Sequence, residues 1–229
     1  MNGIFKERLR ECGRLLQVAL DFTDIRDALR VASKILAAGK ALILEAGTPL
    51  IKSYGIGSVS LLKSLEGEHL VVADMKTMDT GALEVGLAAS YGADASSVLA
   101  VAPGETISEA VAEAERRGIV VYGDLIGHPD PLSGVRVLRE LGVHIALLHI
   151  GVDVQEKLGL TMGSRAELVE KLKTVFMGPV AVAGGIKPRE TGMLAEAGAS
   201  IVIIGSGITR SPNPRESLYE ALKGLEPGC

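Results

Sequence analysis

Short apolar runs recur along the chain from residue 15 onward, separated by longer stretches in which apolar residues return every three or four positions. A short, continuously apolar run is typical of a buried parallel strand, and the longer period is typical of a helix. The runs predict eight strands: LLQVALDF (15–22), ALILEAG (41–47), HLVVADM (69–75), ASSVLAV (95–101), IVVYGDLIG (119–127), HIALLHIG (144–151), PVAVAGG (179–185) and SIVIIGSG (200–207). Eight strands alternating with helices predict a (β/α)8 barrel, or TIM barrel.

The main competing fold is a doubly wound open sheet. Such a sheet usually carries a glycine-rich phosphate loop after its first strand, whereas this chain has Leu20, Asp21 and Phe22 there. The 229 residues are also close to the roughly 250 of one TIM barrel. We therefore predict an α/β protein with one barrel domain over 15–225, preceded by a short helical extension over 1–14.

Composition and charge exclude several classes of partner. Aromatic residues make up 3% of the chain and the net charge is −4, which argues against nucleic-acid binding. No apolar run reaches the ~18 residues of a membrane span, and the N-terminus lacks a signal-peptide core. The two cysteines, Cys12 and Cys229, lie at opposite ends of the chain and argue against a disulfide. We expect a cytoplasmic protein.

Polar residues follow the predicted strands at the end where a TIM barrel carries its chemistry. The third strand is the most informative, because Asp74 and Lys76 are two residues apart and therefore share one face. Asp79 follows as the next helix begins. An ammonium between carboxylates stays charged and can stabilise a developing oxyanion. A solvated ion pair in a loop is the alternative interpretation of these charges.

Glu45 ends the second strand, next to Asp74 on the third. Two carboxylates with room for water and substrate suit Mg²⁺, which seldom receives a site made only of protein ligands. The alternative is that Glu45 pairs with Lys76 or Lys52.

Two further strand ends carry candidate groups for proton transfer. His149 ends the sixth strand and could move protons near neutral pH. Asp124 ends the fifth strand, either as an acid or base or as a group that orients a neighbour. Burial in the core is the alternative for the histidine.

The last two strands end in small residues that would let backbone amides approach a phosphate. These predicted phosphate-binding residues are Gly184, Gly185, Gly205 and Ser206. Tight turns alone are the alternative explanation.

Taken together, the segments at the strand ends resemble the orotidine 5′-monophosphate decarboxylase superfamily, and within it the 3-hexulose-6-phosphate synthases. The resemblance covers about residues 16–222. It is carried by LQVALDF (16–22), EAGTPLIK (45–52), VVADMKTMD (71–79), VAPGETI (101–107), GDLIG (123–127), HIGVDVQ (149–155), VAGGIK (182–187) and GSGIT (205–209).

The resemblance implies an aldehyde-lyase that joins formaldehyde to D-ribulose 5-phosphate, giving 3-hexulose 6-phosphate, or that runs the reverse reaction. It implies Mg²⁺ on Glu45 and Asp74, and a cis-enediolate stabilised by the metal and Lys76. His149 and Asp124 would then transfer protons.

The resemblance also assigns residues to binding and assembly. It implies that Asp21 contacts a substrate hydroxyl. It further implies a homodimer with shared active sites, in which Asp79 reaches into the partner's site.

Two positions distinguish this chain from some members of the superfamily. The related 3-keto-L-gulonate 6-phosphate decarboxylases carry an arginine three residues after the strand-six histidine, where this chain has Val152. Some members carry an arginine phosphate clamp where this chain has Ser206, so Arg210 is an alternative phosphate ligand. A barrel that binds a sugar phosphate without turning it over is the remaining alternative.

Overall fold

The computed structural model describes residues 3–38 and 42–225 as a closed barrel of eight parallel strands in chain order. The strands are β1 (Leu15–Leu20), β2 (Leu42–Ala46), β3 (His69–Thr77), β4 (Ala95–Leu99), β5 (Val120–Asp124), β6 (Ile145–His149), β7 (Val180–Ala183) and β8 (Ile201–Ile204). Strand β8 pairs with β1 and closes the sheet. The predicted TIM barrel is confirmed, although position 41 of the second predicted run lies outside the described residues.

The first helix precedes the barrel, and the other helices follow the strands. The helices are α1 (Gly3–Cys12), α2 (Ile25–Leu36), α3 (Thr48–Tyr54), α4 (Gly57–Lys63), α5 (Gly81–Ser90), α6 (Gly104–Arg117), α7 (Pro131–Glu140), α8 (Val152–Leu158), α9 (Ala166–Phe176), α10 (Thr191–Glu196), α11 (Ser206–Thr209) and α12 (Pro214–Lys223). Short 3₁₀ turns occur at Met162–Ser164 and Pro188–Glu190. Within the described ranges, every helix is too short or too polar to cross a membrane.

Helix α2 shows how sequence sets these outer elements. Its buried residues recur at helical spacing on one face, and they pack against the strands: Ala28, Val31, Ala32, Ile35 and Leu36. The side chain of Asp24 caps the helix by accepting a hydrogen bond from the Arg26 amide at 2.9 Å. Burial of one apolar stripe therefore fixes which side of the helix faces the barrel.

The core has two layers. The larger lies between the strands and the helices, and the smaller fills the barrel interior with residues such as Ile43, Val72, Ile145 and Ile201. Because all strands are parallel, their C-terminal ends meet at one end of the barrel, here called the upper end. The polar strand-end residues of the sequence therefore converge there.

Helix α1 covers the opposite, lower end. Phe5 and Leu9 are buried with the interior residues of the barrel, and the Phe5 ring meets Tyr122 edge-on with centroids 6.1 Å apart. Positions 1 and 2 of the predicted extension lie outside the described residues. Cys12, at the end of this helix, is disulfide-bonded, which corrects the expectation drawn from the sequence. Cys229 lies outside the described residues.

Candidate active site

A cavity of about 720 Å³ opens at the upper end of the barrel. Among the residues that line it are nine of those predicted from the sequence: Asp21, Glu45, Asp74, Lys76, His149, Gly184, Gly185, Gly205 and Ser206. Predicted residues from six different strands or strand ends thus meet in one space. Asp79 and Asp124 are not among the lining residues.

An irregularity at the end of β3 brings Lys76 into the cavity. The register between β3 and β4 shifts between Ala73 and Thr77, and Lys76 has a left-handed backbone with φ of 47°. The amide of Lys76 donates to Ser97 Oγ at 2.9 Å, which holds this conformation. Bulges and left-handed residues of this kind re-aim side chains and often occur at functional sites.

Asp74 is held by hydrogen bonds at both carboxylate oxygens. Ser97 Oγ donates to Oδ1 at 2.8 Å, and Thr48 Oγ1 donates to Oδ2 at 2.8 Å. Lys76 Nζ also lies 2.7 Å from Oδ2. Neither hydroxyl donor was predicted from the sequence. Serine within the otherwise apolar run of β4 is the signal that could have identified one of them.

Asp124 joins Lys76 to His149. It is fully buried beneath the cavity, with Oδ2 3.3 Å from Lys76 Nζ and 3.1 Å from His149 Nδ1. Its Oδ1 accepts the Ile126 amide at 2.9 Å. Burial would raise the pKa of Asp124, but His149 and Lys76 outweigh it and lower the pKa, so the carboxylate stays ionised. This position suits a group that orients its two neighbours.

The same charges keep Lys76 protonated. Desolvation would lower the pKa of its ammonium, but Asp74 and Asp124 more than compensate, so the pKa is raised. A cation is therefore fixed at the wall of the cavity over the neutral pH range. It can stabilise negative charge that develops on a bound molecule.

The surroundings of Glu45 and Asp21 disfavour the ionised forms of these two carboxyl groups. Burial raises the pKa of Glu45 well above its ordinary value, and Asp74 and Asp21 raise it further. The pKa of Asp21 is raised by burial and then by Asp74. Gln17 Nε2 donates to Glu45 Oε2 at 2.6 Å, and no other donor contacts this carboxylate within 3–38 and 42–225.

The β7 and β8 ends provide a rim of backbone. Gly184 and Gly185 both have positive φ, and a Cβ at Gly184 would lie 2.5 Å from the Ile150 carbonyl oxygen. Only glycine fits this close approach. Arg210 also lines the cavity, and its charge opposes the rise in the pKa of Asp21 that burial causes. Arg210 and the glycine-rich ends of β7 and β8 therefore line the same cavity.

Asp79 lies outside this arrangement. Its side chain is exposed and accepts the Thr80 amide at 2.7 Å. The neighbouring Met78 is also exposed. The predicted role of Asp79 at a partner's site stays a prediction.

A profile of the orotidine 5′-phosphate decarboxylase / HUMPS family matches residues 14–221. The chain belongs to this family. The resemblance inferred from the strand-end segments is thereby confirmed.

Most of this chain is similar to individual named members of the family. The 3-hexulose-6-phosphate synthase of Mycobacterium gastri is 36% identical over 207 residues, which cover 90% of this chain and 96% of the relative. A bifunctional enzyme Fae/Hps of Methanococcoides burtonii is 37% identical over 92% of this chain and 52% of its own length. The chain thus spans about half the length of the bifunctional relatives that it matches.

Solved structures agree with this placement. A crystal structure of 3-hexulose-6-phosphate synthase has a TM-score of 0.84 and 35% identity, covering 92% of this chain and 99% of that one. The 3-hexulose-6-phosphate synthase from Salmonella typhimurium has a TM-score of 0.84 at 30% identity, covering 92% and 98%.

A decarboxylase structure from the same family is also similar. A ligand complex of KGPDC from Streptococcus mutans has a TM-score of 0.84 at 25% identity, covering 93% of this chain and 98% of that one. Similarity of the overall fold therefore does not distinguish a synthase from a decarboxylase within the family.

Proposed function

We propose that the chain is an aldehyde-lyase that condenses formaldehyde with D-ribulose 5-phosphate to 3-hexulose 6-phosphate, or runs the reverse reaction. The observation that carries the proposal is the linked set of Asp74, Lys76, Asp124 and His149 at one cavity that also contains Glu45. A barrel that only bound a sugar phosphate would have no use for such a set. The similarity to 3-hexulose-6-phosphate synthases over most of both chains supports the same choice.

Mg²⁺ is the cofactor we propose, held by Glu45 and Asp74. Both carboxylates line the cavity, so the protein would supply two ligands. That number fits Mg²⁺, which keeps water and substrate oxygens in its shell. The buried Glu45 carboxylate has Gln17 as its hydrogen-bond partner, and a divalent cation would balance its charge. When bound, the metal would withdraw charge from the sugar oxygens.

In the proposed reaction the side chains move protons and stabilise charge. His149 Nδ1 faces Asp124, which leaves Nε2 to remove the proton from the sugar carbon beside the ketone. Lys76 stabilises the negative charge of the resulting cis-enediolate. The enediolate carbon then forms a bond to the formaldehyde carbon, and the new alkoxide takes the proton back from His149. The reverse reaction breaks the same carbon–carbon bond.

Other residues of the cavity would bind the sugar phosphate. Asp21 would accept a sugar hydroxyl. The phosphate would lie at the rim formed by Gly184, Gly185, Gly205 and Ser206, with Arg210 beside it. We also propose a cytoplasmic location and a division of the chain into a helical extension (1–14) and a catalytic barrel (15–225).

A homodimer with shared sites forms part of the same proposal, with Asp79 entering the partner's site. Its exposure, its absence from its own cavity and the exposed Met78 and Leu83 beside it support this role. Mixing Lys76→Ala and Asp79→Ala subunits tests it. Random pairing should restore about one quarter of the normal activity, because half of the sites in mixed dimers are intact. Two inactive variants that stay inactive after mixing would contradict the shared site.

The activity is tested by formaldehyde consumption with D-ribulose 5-phosphate, with and without EDTA. We expect metal-dependent turnover, and a loss of about 100- to 1,000-fold in Lys76→Ala. Lys63→Ala is the matched control, since Lys63 pairs with Asp94 away from the cavity. Turnover of 3-keto-L-gulonate 6-phosphate alone would favour the decarboxylase. Phosphate-ester binding without any turnover would favour the non-catalytic barrel.

A further inference from the structure

A buried chain of hydrogen bonds crosses the barrel interior at the floor of the cavity. The Tyr122 hydroxyl donates to Gln17 Oε1 at 3.0 Å, and Gln17 Nε2 donates to Glu45 Oε2 at 2.6 Å. The side chains come from three strands, β5, β1 and β2, and the first two residues are only 1% exposed. The surrounding interior layer is apolar. A buried amide in such a layer is costly unless both of its ends are bonded, as they are here.

The chemistry of the two ends gives the Gln17 amide a single orientation. A carboxylate that binds a cation is ionised and can only accept hydrogen bonds, so with a cation bound the NH₂ group must face Glu45, as it does here. The amide oxygen must then face the tyrosine, whose hydroxyl donates. Burial raises the pKa of Tyr122 well above its ordinary value, so that this donor stays protonated. Glu45 Oε2 is thereby fixed, and Oε1 has no donor within the described residues.

The tyrosine ring is itself held from below. Phe5 of α1 meets it edge-on, with ring planes at 78° and centroids 6.1 Å apart. The ring is 1% exposed and has little room for another rotamer. The order of contacts therefore runs from the lower helix through Tyr122 and Gln17 to the carboxylate in the cavity.

We propose that Gln17 is a positioning residue that fixes the Glu45 carboxylate for a divalent cation, and that Tyr122 fixes the Gln17 amide. This inference rests on the proposed function, because it takes Glu45 as a metal ligand. Outer-shell partners of this kind orient a ligand, and their loss typically weakens metal binding about 10- to 100-fold. Both residues line the floor of the cavity, and in this role each acts through its hydrogen bond to the next side chain.

Two substitutions test separately how Tyr122 and Gln17 contribute to fixing the Glu45 carboxylate. Tyr122→Phe removes only the hydroxyl and keeps the ring that Phe5 contacts. Gln17→Met replaces the amide with an apolar chain of similar length. Thr191→Val is the control, because Thr191 is fully buried and its hydroxyl donates to the Ala221 carbonyl at 2.8 Å, outside the cavity lining. It removes a comparable buried hydrogen bond without touching this chain.

The measurement is isothermal titration of each purified protein with MgCl₂ alone, alongside thermal unfolding. We expect affinity to fall about 10- to 100-fold in Gln17→Met and about 3- to 10-fold in Tyr122→Phe, the equivalent of one net hydrogen bond. Thr191→Val should lose thermal stability and keep its affinity. Raising the Mg²⁺ concentration should restore kcat in Tyr122→Phe, which it would not do for a general loss of structure.

The outcomes distinguish this inference from the proposed function. Magnesium binding by the unaltered protein, with the same affinity in both variants, would overturn the positioning role alone. Weakened binding in Thr191→Val to the same degree would overturn it too, since the effect would then follow stability. An unaltered protein that binds no Mg²⁺ would overturn the metal proposal and this inference with it.

Discussion

Replacing Asp124 by asparagine tests the buried link between Lys76 and His149. Asparagine keeps the shape of the side chain and the acceptor for the Ile126 amide, now 2.9 Å from Oδ1. It presents an NH₂ group to Lys76 and His149 instead of a carboxylate. The imidazole would then carry its proton on Nε2, which is the wrong tautomer for the base that we propose.

The size of the effect follows from the contacts. Two hydrogen bonds to charged partners are lost, each worth about 1.5–3 kcal/mol. Lys76 keeps its contact with Asp74 at 2.7 Å, so the ammonium is not left unpaired. We therefore expect the free energy of unfolding to fall by about 3–6 kcal/mol, and Tm to fall by about 6–24 °C for a chain of this size. The kcat should fall about 100- to 10,000-fold.

The dependence of stability on pH provides a second test of the Asp124 carboxylate. The pKa of Asp124 is lowered in the folded protein, so its ionisation stabilises the fold above the unfolded value of 3.8. That contribution is lost as the pH falls below this value. The stability difference between the parent protein and Asp124→Asn should therefore narrow in acid, as measured by denaturant unfolding.

Asp94→Asn is the matched control. Asp94 also bridges a lysine and a backbone amide, with Oδ2 2.6 Å from Lys63 Nζ and 2.7 Å from the Val71 amide. It lies at the lower end of the barrel, so its loss should reduce Tm and leave kcat unchanged. Normal kcat in Asp124→Asn, whatever its Tm, would refute the orienting role. Equal loss of kcat in both variants would mean that stability alone sets activity.

Three further predictions concern stability and cofactor dependence. Phe5→Ala should reduce the free energy of unfolding by about 3–5 kcal/mol in denaturant titrations, because a buried ring is lost from the lower end; an effect below about 1 kcal/mol would contradict its place in the core. Desolvation lowers the pKa of His144 to about 4, so stability should fall as the pH drops from 6.5 towards 4, by at most about 3 kcal/mol. His144→Asn keeps an acceptor for the Val121 amide and should reduce this dependence of stability on pH. An unchanged pH dependence would mean that other groups cause it. Excess EDTA should abolish turnover and MgCl₂ should restore it, whereas full activity in EDTA would remove the metal from the proposal.

The period of the apolar residues was sufficient to predict the barrel. Each strand is buried on both faces, so its run is continuous, and each helix buries one stripe, as α2 does with Val31 and Ile35. Parallel strands place their C-terminal ends together, and this is why Asp74, Lys76 and His149 could be assigned to one site.

Other features depended on spatial contacts that the order of residues does not contain. The Tyr122–Gln17 hydrogen bond joins positions 105 apart in the chain. A glutamine inside an otherwise apolar strand was visible in the sequence, but its partner was not. Similarly, Asp124 ends a strand like the others, and only the packing shows it fully buried behind Lys76 and His149.

The edge-on contact between Phe5 and Tyr122 has a consequence at the lower end of the barrel. Energetic coupling between two sites is reciprocal. If the helix below helps to fix the carboxylate above, then a cation bound at the carboxylate must in turn stabilise the helix. Amide hydrogens of α1 should therefore exchange more slowly when Mg²⁺ is added, although the helix lies at the far end of the barrel. In the Tyr122→Phe protein, this protection should weaken.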